Sequence, residues 1–316
     1  MPHSRWGALT AVDTAASDWW SQRSCISCHT AGAYLIAPGD AQRELPAWNT
    51  VYAGAQSVAA AWGSGEQIEW LVATACFLAI ADAEDGGGLQ PGTAAALDRA
   101  LSLQDEAGHW PTWLKCVWPP YEADDHFSVT LMAVALGMAG PDYAATTPAI
   151  TGMARIRSYL MANPPVTLHH KAMLLWADTF HDDLVSDVNE TQWVDELWAE
   201  QRADGGWFSV DLGPFDLGGL DTGPPPVEQS DGFGTGFALF ILRTAGVNAM
   251  DPRIQNGVAW LKANQDVDGR WFTHSLRNRS GTPHYITNVG TVFAIKALYL
   301  CGEADQSSPG TLIYGK

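Results

Sequence analysis

Five residues near the amino end, Cys25-Ile26-Ser27-Cys28-His29, have types and a spacing that could do chemistry. In c-type haem attachment, the two cysteines of such a segment bond the haem vinyl groups and the histidine ligates the iron. The same three side chains are ordinary zinc ligands, with a fourth ligand needed from elsewhere in the fold. A disulfide, or two buried thiols, is the structural alternative. The segment therefore leaves haem c, zinc and a structural role open.

A second segment is acidic and reads Glu122-Ala123-Asp124-Asp125, with His126 directly after it. Crowded carboxylates raise the pKa of one member, which then keeps a proton at neutral pH and can deliver it to a substrate. Helix starts also prefer Asp as an N-cap, so capping alone is an alternative explanation. The segment predicts either a proton donor or a helix cap.

These segments need a scaffold, and an internal repeat supplies one. A phrase of Gln, three residues, Gly, one residue and Trp recurs from Gln104 to Trp110, from Gln201 to Trp207 and from Gln265 to Trp271. Each copy follows an amphipathic helical pattern, and a run of small and apolar residues comes after the next loop. The repeating unit is therefore helix, Gly-Trp turn, loop and helix, and a repeat of this kind determines the architecture.

Degenerate copies extend the pattern to six helix pairs, each with one amphipathic helix and one that is apolar nearly all round. The amphipathic, outer-type helices are predicted near Val12 to Gln22, Thr50 to Trp62, Thr93 to Gln104, Pro148 to Met161, Val188 to Gln201 and Pro252 to Gln265. The apolar, inner-type helices are predicted near Cys28 to Ile36, Glu66 to Ile80, Asp125 to Met138, Thr167 to Asp178, Gly232 to Thr244 and Tyr285 to Leu300.

The two helix types predict two concentric rings, because a helix that is apolar all round must be buried. The predicted fold class is all-α, an α/α toroid of six helical hairpins. Repeat toroids tolerate a long chain because each pair contacts chiefly its neighbours. We therefore expect one domain over residues 1–316, with residues 1–45 as its first helix pair.

Inner helices that run parallel bring their N-termini together at one mouth of the toroid. Free N–H groups and helix dipoles favour anions there. Besides the acidic segment, the sequence places Cys25, Cys28, His29, Glu66 and Asp231 at these N-termini. His29, Glu66 and Asp231 are therefore candidates for a polar partner or a base in a shared site.

Composition narrows the partners. The formal net charge of −18 argues against nucleic acid, because binding phosphate backbones needs basic patches. The sequence contains no run of eighteen or more apolar residues, so it predicts no transmembrane helix. Met1 to Asp13 shows no secretory signal. We expect a cytoplasmic or membrane-peripheral protein, or a periplasmic one if the Cys-x-x-Cys-His segment binds haem. The oligomeric state does not follow from the sequence.

The Gln-x-x-x-Gly-x-Trp phrase, in contexts such as GVAWLKANQDVDGRW, resembles the QW repeat of squalene-hopene cyclases and oxidosqualene cyclases. Those enzymes share the α/α toroid with protein prenyltransferase β subunits and complement-type thioester domains. The resemblance covers about Thr50 to Cys301 as repeats, and the chain has room for one toroid where triterpene cyclases carry two. It implies a single-domain relative that acts on a hydrophobic, isoprenoid-type small molecule and needs no cofactor.

Class II terpene cyclases carry an Asp-x-Asp-Asp motif whose middle Asp protonates an alkene or epoxide. The segment from Glu122 to Asp125 resembles it, with Glu in the first position. The resemblance implies that Asp124 is the acid, that Asp125 and Glu122 support it, and that cyclisation runs through carbocations. Aromatic faces stabilise such cations without attacking them. Seven aromatic residues are expected to bind substrate near the mouth: Trp118, Tyr121, Phe127, Trp207, Phe233, Trp271 and Tyr285.

The competing prediction is a haem c or zinc-binding protein on the same scaffold. It would use Cys25, Cys28 and His29 for redox or other chemistry.

Overall fold

Helices are the regular secondary structure of the part of the chain that the computed structural model describes, and no β-strand occurs there. The described residues are 4–26, 28–38, 40–61, 68–84, 86, 88–110, 125–181, 183–215, 227–276 and 284–303. The α-helices are α1 (Arg5–Arg23), α2 (Ala33–Leu35), α3 (Asp40–Arg43), α4 (Trp48–Ala61), α5 (Ile68–Glu84), α6 (Pro91–Ser102), α7 (His126–Met138), α8 (Pro141–Ala144), α9 (Thr147–Ala162), α10 (Leu168–Asp178), α11 (Asp187–Ala199), α12 (Gly232–Thr244), α13 (Pro252–Ala263) and α14 (Ile286–Leu300). A π-helical turn, Cys28–Gly32, precedes α2, and a 3₁₀ turn covers Ser209–Leu212.

Six of these elements form a closed inner ring. Helix α5 packs against α7, α7 against α10, α10 against α12, and α12 against α14. Helix α14 then packs against the π-helical turn and α2, which contact α5 in turn. The outer ring consists of α1, α4, α6, α9, α11 and α13. The predicted α/α toroid of six hairpins is confirmed.

The inner helices run parallel, as contacts between their first residues show. The ring centroids of Phe127 and His169 lie 5.9 Å apart, and those of His169 and Phe233 lie 6.4 Å apart. Asn288 at the start of α14 donates to Thr30 Oγ1 in the π-helical turn, at 3.2 Å. We call the end of the toroid where these N-termini meet the mouth.

A buried ion pair joins the inner helices at the opposite end. Lys296 Nζ lies 2.7 Å from Glu84 Oε1 and donates to the Ile36 carbonyl at 3.1 Å. The Lys296 and Glu84 side chains are only 1% and 7% exposed. Buried charges need such pairing, because taking a lone charge out of water is costly. The pair therefore ties α14, α5 and α2 together where the last and first repeats meet.

The QW repeat fastens each outer helix to the next. The Trp indole N–H donates to a carbonyl of the preceding outer helix: Trp110 to Ala100 at 2.8 Å, Trp207 to Leu197 at 2.7 Å and Trp271 to Leu261 at 2.7 Å. The Gln amide donates to its own Gly carbonyl and to a carbonyl in, or directly before, the following outer helix: Gln104 to Gly108 and Gly152, Gln201 to Gly205 and Arg253, Gln265 to Gly269 and Ser4. The motif therefore has a structural role. The third unit also closes the ring, because its partner Ser4 caps α1.

The Gly of each QW unit has a backbone that other residues rarely adopt. Gly108, Gly205 and Gly269 have φ values of +94°, +91° and +89°. A Cβ on Gly205 would lie 2.7 Å from the Asn256 carbonyl oxygen of α13, and the other two glycines meet the next outer helix in the same way. Positive φ and close approach both require Gly here. This explains why Gly is invariant among the three copies.

Local capping corrects two of the predicted bounds. The first outer helix was expected near Val12, but α1 begins at Arg5 because Ser4 Oγ accepts from the Gly7 N–H. The first inner helix, expected from Cys28 to Ile36, is instead a π-helical turn with a short α-helix after it.

No helix in the described part of the chain is both long and apolar enough to cross a lipid bilayer.

Candidate functional site

An aromatic cavity lies on the axis of the inner ring. It is lined by side chains of all six inner elements: Ile36, Phe77, Phe127, Leu131, His169, Met173, Trp176, Phe233, Phe237 and Phe293. The space between these atoms is about 310 Å³, of which about 20 Å³ is open to the centre of a water-sized sphere. That is about the room that one water molecule needs. The cavity is therefore small and largely apolar.

The rings in this cavity are ordered by edge-to-face contacts. Phe233 and Phe237 stack with centroids 5.2 Å apart and planes 11° apart. Phe293 stands nearly perpendicular to both, at 5.7 and 5.1 Å. Trp176 contacts Phe240 at 5.1 Å with an interplanar angle of 87°. Such rings present negative faces, which attract a cation by about 0.5 to 2 kcal/mol and do not react with it.

His169 is the titratable side chain in the cavity lining, and the sequence analysis did not select it. It is 1% exposed and lies in the first turn of α10. Its ring centroid is 5.3 Å from that of Phe237 and 5.4 Å from that of Phe215. Its position in an inner helix start was the available signal, but the neighbouring His170 has the same signal. Only the rotation of α10 distinguishes the two.

The predicted aromatic residues divide into three groups. Phe127 and Phe233 line the axial cavity, and Tyr285 lines a separate pocket at the mouth. Trp207 and Trp271 are wholly buried in QW units, where each indole bonds an outer helix. Their expected position on a substrate wall is therefore wrong, because the repeat places them between the two rings. Trp118 and Tyr121 lie outside the described residues.

Asp125 is the described member of the acidic segment, and its side chain does not cap α7. Its Oδ2 lies 2.9 Å from His109 Nδ1, while His109 Nε2 lies 3.1 Å from Asp105 Oδ2. The QW turn thus places an imidazole between two carboxylates. Two residues after Asp125, Phe127 lines the axial cavity. The acidic segment therefore leads directly into a helix that forms the cavity wall.

Glu122 and Asp124, together with Glu66, lie outside the described residues.

Asp231 is an N-cap rather than a cavity residue. Its carboxylate accepts from the Gly234 N–H at 2.8 Å and from Ser209 Oγ at 2.6 Å. Burial raises the pKa of Asp231 to about 6, although these hydrogen bonds oppose the shift. Because its oxygens are occupied in the cap and it is absent from the cavity lining, Asp231 does not fit the expected role of substrate base. Asp231 is therefore the N-cap of α12.

The Cys-x-x-Cys-His segment lies at the mouth, where His29 packs between two aromatic rings. The His29 ring stacks on Tyr285 at 4.8 Å, and Trp19 stands edge-on to it at 5.0 Å. His29 Nδ1 lies 2.8 Å from Thr30 Oγ1. Among the described residues no three His, Cys, Asp or Glu side chains converge to hold a metal ion, and Cys25 and Cys28 are not joined by a disulfide. The disulfide alternative is therefore absent from this structure, and the zinc site stays a prediction.

Haem attachment at the same segment also lacks a fit. Cys28 and His29 are buried in the inner ring, and His29 is held between Trp19 and Tyr285. Burial, and secondarily the charge of Arg23, lower the pKa of His29 to about 4. His29 is therefore uncharged at neutral pH and packs between two rings at the mouth. These surroundings do not fit a haem.

The shifted pKa values of Asp231 and His29 predict opposite effects of pH on the free energy of unfolding. Between pH about 4 and 6, Asp231 keeps its proton only in the folded state, so its contribution to stability falls as pH rises through this window. Between pH about 6.5 and 4, His29 gains a proton only in the unfolded state, so its contribution falls as pH falls. Each shift corresponds to roughly 3 kcal/mol at 1.36 kcal/mol per pKa unit.

Urea unfolding at several pH values tests this. Relative to wild type, Asp231→Asn should become less stable on acidification from pH about 6 to 4, and His29→Gln should become more stable over the same range. Curves that stay parallel to wild type in both variants would contradict the two assignments.

Comparisons with known proteins give a shared fold. The sequence matches no protein-family model and no curated protein. A solved glycosidase is 13% identical, with a TM-score of 0.56, and the match covers 95% of this chain and 98% of that chain. A glycosidase in complex with glucose is 14% identical, with a TM-score of 0.52, over 95% of this chain and 88% of that one. Both likenesses concern the fold alone.

A type II terpene cyclase also shares the fold. The cyclase MstE from Scytonema, without ligand, is 11% identical, with a TM-score of 0.53, and the match covers 93% of this chain and 97% of that chain. These solved structures with a similar fold are thus enzymes of two chemical classes.

Proposed function

We propose that the protein cyclises a linear isoprenoid by protonating it at a terminal alkene and guiding the resulting carbocations to a ring. The axial cavity carries this proposal. Phe77, Phe127, Trp176, Phe233, Phe237 and Phe293 contribute rings to it, and no carboxylate occurs in its described lining. An aromatic wall suits an apolar chain that becomes a cation.

The proposed acid is Asp124. Its proton adds to one alkene carbon, the other carbon becomes the cation, and attack by a second alkene closes a ring. Loss of a proton from the final cation completes an isomerisation, and water returns a proton to Asp124. Asp125, held by His109 and Asp105, and Glu122 keep the acid protonated by crowding it with negative charge.

His169 is the proposed acceptor of the final proton, because it is the titratable group in the described cavity wall. It replaces His29 and Asp231, whose side chains serve packing and capping. The products of His169→Phe test this role. Without the base, the last cation should lose its proton from another carbon or be captured by water, so that new alkene isomers or an alcohol appear. An unchanged product would assign the final base elsewhere.

Glycoside hydrolysis is the alternative that the shared fold raises. That reaction needs two carboxyl groups about 5 to 9.5 Å apart on either side of a polar sugar. The described axial lining offers Phe, Leu, Ile, Met, Trp and His instead.

The test is a substrate panel analysed by gas chromatography and mass spectrometry. Farnesyl, geranylgeranyl and squalene-type substrates are offered in parallel with aryl glycosides. We expect a cyclic product from a linear isoprenoid. Sugar release without any isoprenoid conversion would overturn the proposal.

Phe233→Leu should lower turnover by about 2- to 30-fold, because a cation–π contact is worth ~0.5–2 kcal/mol. Phe233 is 1% exposed and stacks on Phe237 in the cavity wall. In the same variant, the share of products that arise from early proton loss should rise. Met173→Leu is the matched control, since it changes an aliphatic wall residue by little volume. Equal effects of both variants would show that shape, and not the ring face, matters.

A further inference from the structure

A second pocket opens at the mouth between α1, the π-helical turn and α14. Its volume is about 490 Å³, and it shares no lining residue with the axial cavity. Trp19, Tyr285 and Phe272 give it ring walls, and Arg23, Thr30 and Asn288 give it polar groups. We call it the α1–α14 pocket. The proposed cyclisation does not use it.

Asn288 has an unsatisfied polar atom in this wall. The residue is only 7% exposed. Its Nδ2 donates to Thr30 Oγ1 at 3.2 Å, whereas its Oδ1 has no hydrogen-bond partner. A buried acceptor without a donor is destabilising, so such an atom calls for a functional explanation. A ligand in the pocket would supply the missing donor.

Trp19 presents a second group of this kind. Its indole N–H is buried and has no hydrogen-bond partner. Its ring meets Tyr285 edge-on at 5.3 Å, so the two side chains form a corner of the pocket. An unpaired donor and an unpaired acceptor on residues of the same pocket favour a ligand that has both kinds of group.

Arg23 supplies positive charge at the rim. Its guanidinium lies 4.1 Å from the centroid of Trp19 and donates to the Gln22 side chain at 3.2 Å. No carboxylate of the described residues pairs with it. The other charged groups of the wall are Asp18 and Arg270, and Arg270 is neutralised by Asp268 at 2.7 Å. The charge of Arg23 also lowers the pKa of His29, so it reaches the interior of the mouth.

We propose that the α1–α14 pocket binds a small aromatic acid. The planar body lies against Trp19 and Tyr285, the carboxylate bonds the Arg23 guanidinium, and a hydroxyl donates to Asn288 Oδ1. Guanidinium and carboxylate form strong, charge-assisted hydrogen bonds. This site stands apart from the axial cavity, and its test needs no turnover.

The test is calorimetric titration with three probes of one size: 4-hydroxybenzoate, benzoate and 4-hydroxybenzyl alcohol. We expect 4-hydroxybenzoate to bind best. Benzoate, which lacks the donor, should bind about 2- to 12-fold more weakly. The alcohol, which lacks the charge, should lose at least about 10-fold.

Two variants separate the contacts. Arg23→Gln should weaken 4-hydroxybenzoate to the level of the alcohol, and benzoate below that level. Asn288→Leu should abolish the preference for 4-hydroxybenzoate over benzoate, because it removes the acceptor. Arg253→Gln is the matched control, since Arg253 also lies over an indole, that of Trp198 at 4.0 Å, but outside the pocket.

Two outcomes overturn the proposal. The first is the absence of saturable binding of 4-hydroxybenzoate at millimolar concentration. The second is binding that Arg23→Gln, an exposed substitution that leaves packing intact, does not weaken beyond Arg253→Gln. Loss of cyclase activity in a separate assay bears on neither outcome.

Discussion

The Asp124→Asn variant is expected to lose isoprenoid cyclisation by at least about 100- to 10,000-fold, the usual contribution of a general acid. Asn nearly preserves the shape of Asp but carries no transferable proton. The loss should exceed this range if nothing else can start the reaction. Product formation per enzyme, with circular dichroism to verify the fold, measures the effect.

Its neighbours provide the controls. Asp125→Asn and Glu122→Gln should be milder, because they only tune the acid. Asp125→Asn also disturbs the contact with His109, so His109→Gln should resemble it. Near-wild-type turnover by Asp124→Asn would falsify the assignment of the acid. Loss on Glu66→Gln instead would move the acid to another inner helix.

The Trp271→Ala variant should lose about 3 to 5 kcal/mol of unfolding free energy, the usual cost of truncating a buried Trp. Trp271 is wholly buried, and its indole bonds the Leu261 carbonyl at 2.7 Å. It belongs to the QW unit that closes the ring through Gln265 and Ser4. Urea unfolding monitored by circular dichroism measures the change.

Trp6→Ala is the matched control for this variant. Trp6 lies on α1 with half of its surface exposed, so its loss should cost under about 1 kcal/mol. Trp271→Phe separates the hydrogen bond from the ring and should cost about 1 kcal/mol for the bond, plus the smaller volume. Similar losses for Trp6→Ala and Trp271→Ala would contradict the fastening role of the QW repeat.

The fold could be predicted from the sequence because the QW motif occurs in three copies. Each Gln-x-x-x-Gly-x-Trp copy has the same local geometry, so one interpretation served for Gly108, Gly205 and Gly269 alike. The inner helices were recognised because α7, α12 and α14 are apolar on every face. The bounds of α1 and the π-helical turn were missed, since they depend on one cap and one local hydrogen-bond pattern.

The residues of the candidate site could be predicted less well, because the rotation of each helix about its axis decides which side chains face the cavity. Phe127 and Phe233 were selected by their place in the inner helices, but Phe237 and Phe293 lie deeper on the same faces and were not. His169 and His170 differ by 100° around α10, which no pattern resolves. The Cys-x-x-Cys-His spacing predicted chemistry, whereas the packing of His29 against Tyr285 decides its role.

The central claim is that a proton from the enzyme starts the reaction, and cyclisation in deuterium oxide tests it most directly. A substrate that is active in the panel is incubated in this solvent, and the cyclic product is analysed by mass spectrometry and NMR. The account predicts one deuterium per product molecule, located at the carbon that was the terminal alkene, and no such product from Asp124→Asn. A cyclic product without deuterium at that carbon would contradict it.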